Sequence, residues 1–186
     1  MPMTKTARVV KVVPYDSSWR AKFAEEELVL RRVLGEEVQE AHHIGSTAIP
    51  GMWAKPIIDI LVIVRDIEKV DRLNHSMSAV GYQAMGEFGI QGRRFFIKGG
   101  DHRTHHVHVF QKGSAHIRRH LDFRDFMIVH PKEAASYADL KRSLATRFGS
   151  DIDSYCRGKE LFIVEIEAKA AIWAAAGRAR KGHRKD

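Results

Sequence analysis

The stretch IIDILVIV (57–64) is almost continuously apolar, the pattern of a strand buried on both faces inside a sheet. Other segments follow other periods. EVQEAHHI (37–44) reads as a second strand, and the β-branched ARVVKVV (7–13) predicts a short one. RRFFIKGG and THHVHVF, separated by a Gly-Gly-Asp turn, predict a hairpin. Between these lie helical stretches. Asp16 or Ser17 caps a helix to about Val33, with Glu25, Glu26 and Glu27 on its exposed side and Gly35 at its end. Asp66 caps another through about Val80, closed by Gly81. The last third predicts helices over about 115–129, 132–148 (Pro131 at its start) and 152–175. The fold class is therefore α+β or α/β: a small mixed sheet flanked by helices, then a helical C-terminal third.

At 186 residues the chain suits one domain with a sizeable core, here assigned to 1–176. No window reaches the roughly 18–20 continuous apolar residues of a membrane span. MPMTKTARVV has no secretion-signal core, which predicts a cytoplasmic protein. Cys156, the single cysteine, excludes an internal disulfide and a cysteine-built metal cage. The net charge of +8 favours anionic partners: nucleotides, phosphorylated small molecules or RNA. Part of that charge sits in 177–186 (GRARKGHRKD), which predicts a basic, disordered tail.

Candidate chemistry gathers in HHIGSTAIPGMWAKPIIDILVIV (42–64). Gly45 allows close backbone approach to a phosphate, Ser46 adds a hydroxyl donor, and Lys55 can neutralise phosphate charge. The spacing is not that of a Walker A loop. Asp59 lies within an apolar strand, where a carboxylate is costly unless paired or metal-bound. Alternation places it on the same side as Ile57 and Leu61. A Gly-Ser loop followed by a strand aspartate can hold a phosphate together with Mg²⁺. A solvated strand edge, or a partner Arg or Lys, would also accommodate it.

With these residues, VPYDSSWRAKFAEE, GYQAMGEFGIQGRRFF, HHVHVF, LDFRDFMIVHP, YADLKRSL and YCRGKELFIVEIEAKAAIW match in order across nearly the whole chain, which resembles the GrpB family (UPF0157-like). Members of that family also occur fused to dephospho-CoA kinase. The resemblance implies a nucleotidyltransferase-like fold, in which Gly45 and Ser46 hold nucleotide phosphates and Asp59 matches a metal-binding acid. The chain departs from the pattern at the second acid, which would fall at Leu61 or Ile57. The resemblance also favours Arg93 and Lys159 as phosphate contacts.

The histidine strand offers a replacement. His106 and His108 share one face, and in the implied fold a later strand lies beside the acidic one. There they would stand near Asp59, as ligands of a divalent ion (Mg²⁺ or Mn²⁺, or Zn²⁺ given the imidazoles) or as a general base. Phe110 breaks a histidine triad. Trp53 could pack or stack on a base, and Arg124 with Asp125 reads as a surface pair. Three functions follow: nucleotidyl transfer from an NTP to an acceptor, a catalytically degenerate nucleotide- or phosphate-binding module (an accessory of coenzyme A metabolism among them), and an RNA-binding accessory protein. Oligomeric state is not legible.

Overall fold

The computed structural model describes residues 9–182, with side chains through residue 178. Five strands form one mixed sheet: β1 (Val38–Ile44), β2 (Ile58–Val64), β3 (Tyr82–Ala84), β4 (Arg93–Lys98) and β5 (His105–Gln111), in the order β1-β2-β5-β4-β3. β2 runs parallel to β5; β1–β2, β4–β5 and β3–β4 are antiparallel. The helices are α1 (Ser18–Leu34), α2 (Ile67–Asp71), α3 (Asn74–Ala79), α4 (Ala115–Val129), α5 (Pro131–Arg147) and α6 (Ile152–Gly182). None of them is long and apolar enough to cross a membrane among the described residues.

The alternation of β2 divides the molecule. Ile58, Ile60, Val62 and Val64 pack with Trp19, Leu30 and Leu34 of α1, with Val70 and with Met77. Leu61 and Ile63 face the other way, against Ile44, Phe110 and the start of α4. A second apolar cluster joins Ile49 and Met52 to Phe126, Tyr137 and Ile166, and so fastens α4, α5 and α6 over that second face. Asp59 belongs to it, as alternation requires.

Several expectations change. The strand predicted over 7–13 is one bridge, Val13 with Ala54, while the Val10 amide bonds to Gly149 O; residues 7 and 8 lie outside the described residues. The helix expected over 66–80 is two short ones, although Asp66 does cap the first, its carboxylate accepting from the Glu68 amide at 2.9 Å. Strand β3 had no readable period, having only 3 residues. Glu26, expected at the surface, is buried: Lys98 Nζ donates to both carboxylate oxygens at 2.8 and 3.0 Å, and Tyr82 Oη donates at 2.9 Å. In the expected tail, α6 continues to Gly182 and Arg178 pairs with Asp122 at 3.1 Å; residues 183–186 lie outside the described residues.

Candidate phosphate-binding site

The pairing of β2 with its two neighbours builds the site. Across β1–β2, Ile44 lies opposite Asp59, so the chain leaving β1 turns directly over the carboxylate. That turn is Gly45, at φ +69°, and a Cβ there would stand 2.5 Å from Asp59 Oδ2. Glycine is therefore required twice, for the backbone angle and for the approach. Across β2–β5, Asp59 lies opposite His106 and Leu61 opposite His108. His106 Nδ1 donates to Asp59 Oδ1 at 3.1 Å, and His108 Nε2 stands 3.8 Å from the same oxygen.

Arg93 fixes the second imidazole. Its guanidinium can only donate, so His108 Nδ1, at 3.3 Å from it, accepts and the Nε2 proton faces Asp59. Burial alone would raise the Asp59 carboxyl, but the hydrogen bonds and charge of His106 and His108 outweigh it and hold Asp59 well below the usual carboxylate range. Burial pushes His108 below the ordinary imidazole value, against the pull of Asp59. The Asp59 side chain nonetheless keeps 27% exposure, toward a cavity of about 370 Å³.

The walls of that cavity are cationic and aromatic. Gly45, Ser46, Lys55, Asp59, His106, His108 and Lys159, the residues singled out from the sequence, are brought together in its lining, and Lys141, Arg119, His120, Tyr137 and Tyr155 join them. Lys141 Nζ donates to Ser46 Oγ at 2.9 Å and lies 4.4 Å from the centre of the Tyr137 ring. Its residue is 2% exposed, and among the described residues no carboxylate comes within ion-pair reach of the ammonium. Burial, reinforced by the nearby Lys159 charge, brings its pKa down to about 7. Burial lowers Lys159 as well; its ammonium lies 4.4 Å from the Tyr155 ring centre, with Lys55 at 5.5 Å from the same ring. Arg119 is tied to Glu167 at 2.6 Å. His120 is pushed down to about 3, by burial first and by the neighbouring His108, and its Nε2 is buried without a hydrogen-bond partner among the described residues.

Arg93 is the predicted site residue that the structure places elsewhere. It is 5% exposed beneath the histidines, over the Phe95 ring at 4.7 Å, and donates to the carbonyls of Glu87 and Phe88 at 3.2 and 2.7 Å. Its Nε, Nη1 and Nη2 each donate once, to the 87–88 turn and to His108, and it is not among the side chains that line the cavity. Trp53 packs beside the Ile49 cluster under the Arg142 guanidinium, 5.1 Å away. Arg124 does pair with Asp125, at 2.7 Å, and also donates to His43 O at 3.0 Å.

The resemblance implies a divalent ion beside these side chains. A catalytic ion needs several oxygen ligands about one point. Asp59 Oδ1 already accepts from His106, His108 Nδ1 is turned to Arg93, and Leu61 is apolar. Among the described residues, no group of three His, Cys, Asp or Glu side chains is placed to hold a metal ion. As arranged, the donor set does not fit the ion.

Comparison with known proteins assigns this architecture. The UPF0157 protein YqkA of Bacillus subtilis is 47% identical over 89% of this chain, which spans only 48% of that relative's length. A dephospho-CoA kinase of Mycolicibacterium paratuberculosis is 27% identical over 89% of this chain and 47% of its own. The crystal structure of GrpB from Enterococcus faecalis superposes with a TM-score of 0.83 at 45% identity, over 86% of this chain and 96% of that one. The model of the family described as GrpB protein matches residues 9–169, a span that holds every strand of the sheet and every side chain of the cavity, and the chain belongs to that family.

Proposed function

We propose that this chain binds a phosphate-bearing ligand, a nucleotide or smaller phosphate ester, in the cavity above Asp59. Ser46, Lys55, Lys141 and Lys159 take the phosphate oxygens. The observation that carries this reading is Lys141, a buried ammonium whose only polar partner among the described residues is a hydroxyl. An unpaired buried charge is costly, and a bound anion supplies the missing counter-charge. Tyr137 and Tyr155 add aromatic walls of the kind that hold the organic part of such a ligand.

Nucleotidyl transfer from an NTP is the second reading, and one observation favours it. The imidazole of His106 is oriented by the Asp59 carboxylate, the arrangement of a general base. The single acid weighs on the side of a binding module, so binding is the reading preferred here.

Calorimetry with ATP, ADP, dephospho-coenzyme A and inorganic phosphate tests the proposal; dephospho-coenzyme A is included because a dephospho-CoA kinase is 27% identical to this chain over 89% of its length. The expected result is binding that Lys141→Met weakens by about 10-fold or more, the loss of a charge-assisted contact. Binding unaffected by EDTA is expected from the donor set. Absence of binding with all four probes, or an unchanged affinity in Lys141→Met, overturns the proposal. A nucleotidylated product found by mass spectrometry after incubation with NTPs promotes the second reading over the first.

A further inference from the structure

Six of the nine large exposed apolar side chains among the described residues lie on the C-terminal helical layer: Ile128, Val129, Leu161, Val164, Ile172 and Trp173. On α6 they are not scattered. Leu161, Val164, Ala168, Ala171 and Ala175 follow the alternating three- and four-residue spacing of a coiled-coil seam, with Ile172 beside it. Leu161 is 86% exposed, Ile172 74% and Val164 63%. The opposite side of the same helix, through Ile166, Ala170 and Ala174, is buried against the domain. A helix apolar on both sides has a second partner to find.

Charge identifies that partner. Within α6 acidic residues outnumber basic ones four to two from Ile152 to Glu167, whereas from Ala168 to Gly182 there are four basic residues and no acidic one. Two such helices repel when parallel and attract when antiparallel. We propose that a second copy of this chain docks on this face, α6 against α6 and antiparallel, centred near Ala168.

That register is self-consistent under a two-fold axis, as a closed dimer requires. Leu161 meets Ala175 of the second copy, Val164 meets its Ile172, and Ala168 meets its own equivalent, so large side chains face smaller or matching ones. The flanks agree as well. Helical spacing puts Glu160 and Arg178 on one flank, and Glu165 and Lys169 on the other. In the antiparallel pair Glu160 comes beside Arg178 of the second copy, and Glu165 beside its Lys169. Within the chain Glu165 pairs with Lys169 at 2.7 Å and Arg178 with Asp122 at 3.1 Å, but the side chains of Glu165, Lys169 and Arg178 remain 62%, 47% and 47% exposed, so a second copy can share these charges.

Sedimentation equilibrium on the full chain decides the matter. A mass of twice 21.2 kDa is expected for the parent chain, and 21.2 kDa for Val164→Glu with an unchanged circular dichroism spectrum, since Val164 lies outside the core. Oxidative cross-linking fixes the direction independently. In a Cys156→Ser background, Ala168→Cys is expected to form a disulfide-linked dimer under mild oxidant. The parent chain, whose Cys156 residues lie at opposite ends of an antiparallel pair, is expected to form none. A parent chain that stays monomeric at about 100 µM, far above the Kd of a stable dimer, overturns the proposal. So does a dimer that survives Val164→Glu, or a Cys156 disulfide in place of one at position 168. These readouts involve no phosphate ligand, so their failure leaves the binding proposal untouched.

Discussion

Gly45 is where the backbone of one strand and the side chain of the next compete for the same space. Its φ of +69° already disfavours any residue with a Cβ, and the Asp59 carboxylate occupies the position that the Cβ would take. Gly45→Ala therefore has to move the turn or displace Asp59 from His106. A loss of about 2 kcal/mol or more is expected from the left-handed backbone and the overpacking together, measured by urea unfolding. Lys141 faces a different conflict. Facing Ser46, Tyr137 and, farther off, Lys159, its ammonium has a pKa lowered to about 7 and so gives up its proton readily. A phosphate dianion favours the charged form, so binding above pH 7 has to draw a proton onto this amine. Calorimetry at pH 8 in buffers of different ionisation enthalpy is expected to register that uptake, and affinity is expected to fall as pH rises beyond 7. Lys141→Met should abolish both effects; a buffer-independent enthalpy in the parent chain would count against the assignment.

The elements hold together partly through charges that periodicity does not reveal. Helix α1 is clamped to the sheet by Glu26, whose carboxylate takes Lys98 from β4 and the Tyr82 hydroxyl from β3, with His105 Nε2 of β5 at 3.8 Å. Glu26→Ala would leave Lys98 and a buried tyrosine hydroxyl without their acceptor. About 2–4 kcal/mol of stability is expected to go, and Glu26→Gln should restore part of it by accepting from Tyr82. Within EEE (25–27) each glutamate looks equally solvent-facing, and only the packed sheet selects the middle one. Lys141 was similarly hidden, although a trace existed: Tyr137, Ala138, Lys141 and Leu144 repeat at helical spacing and are all buried, so a lysine was sitting in an apolar stripe. By contrast, Asp59 with His106 and His108 was legible, because strand alternation alone gives each side chain its face and one pairing of β2 with β5 joins them. The long helices were legible from their caps and periods. A three-residue strand and a break at Arg72–Leu73 carry too little pattern to read.

At the scale of the whole molecule, the excess of positive charge and the half-buried histidines act in the same direction on acidification. His43 and His120 are both held below the ordinary imidazole value, chiefly by burial, to about 4 and about 3. Each stays neutral in the folded chain through a range in which the unfolded chain, titrating near 6.5, takes up a proton. Because the unfolded state binds more protons between about pH 4 and 6.5, stability rises with pH across that window and is lost on going down through it. His108, also lowered by burial, adds to the same slope. For His120 the difference between pH 7 and pH 5 is on the order of 1–2 kcal/mol. A net charge of +8 before any histidine ionises adds self-repulsion as further protons bind. Urea midpoints are therefore expected to fall steadily from pH 7 to pH 5. His120→Phe, which keeps an aromatic ring against His108 and Phe110 but cannot take the proton, is expected to flatten that fall. A midpoint independent of pH over this interval would mean that these imidazoles are not held neutral by the fold, and with them the low-dielectric character of the cavity's floor would be lost.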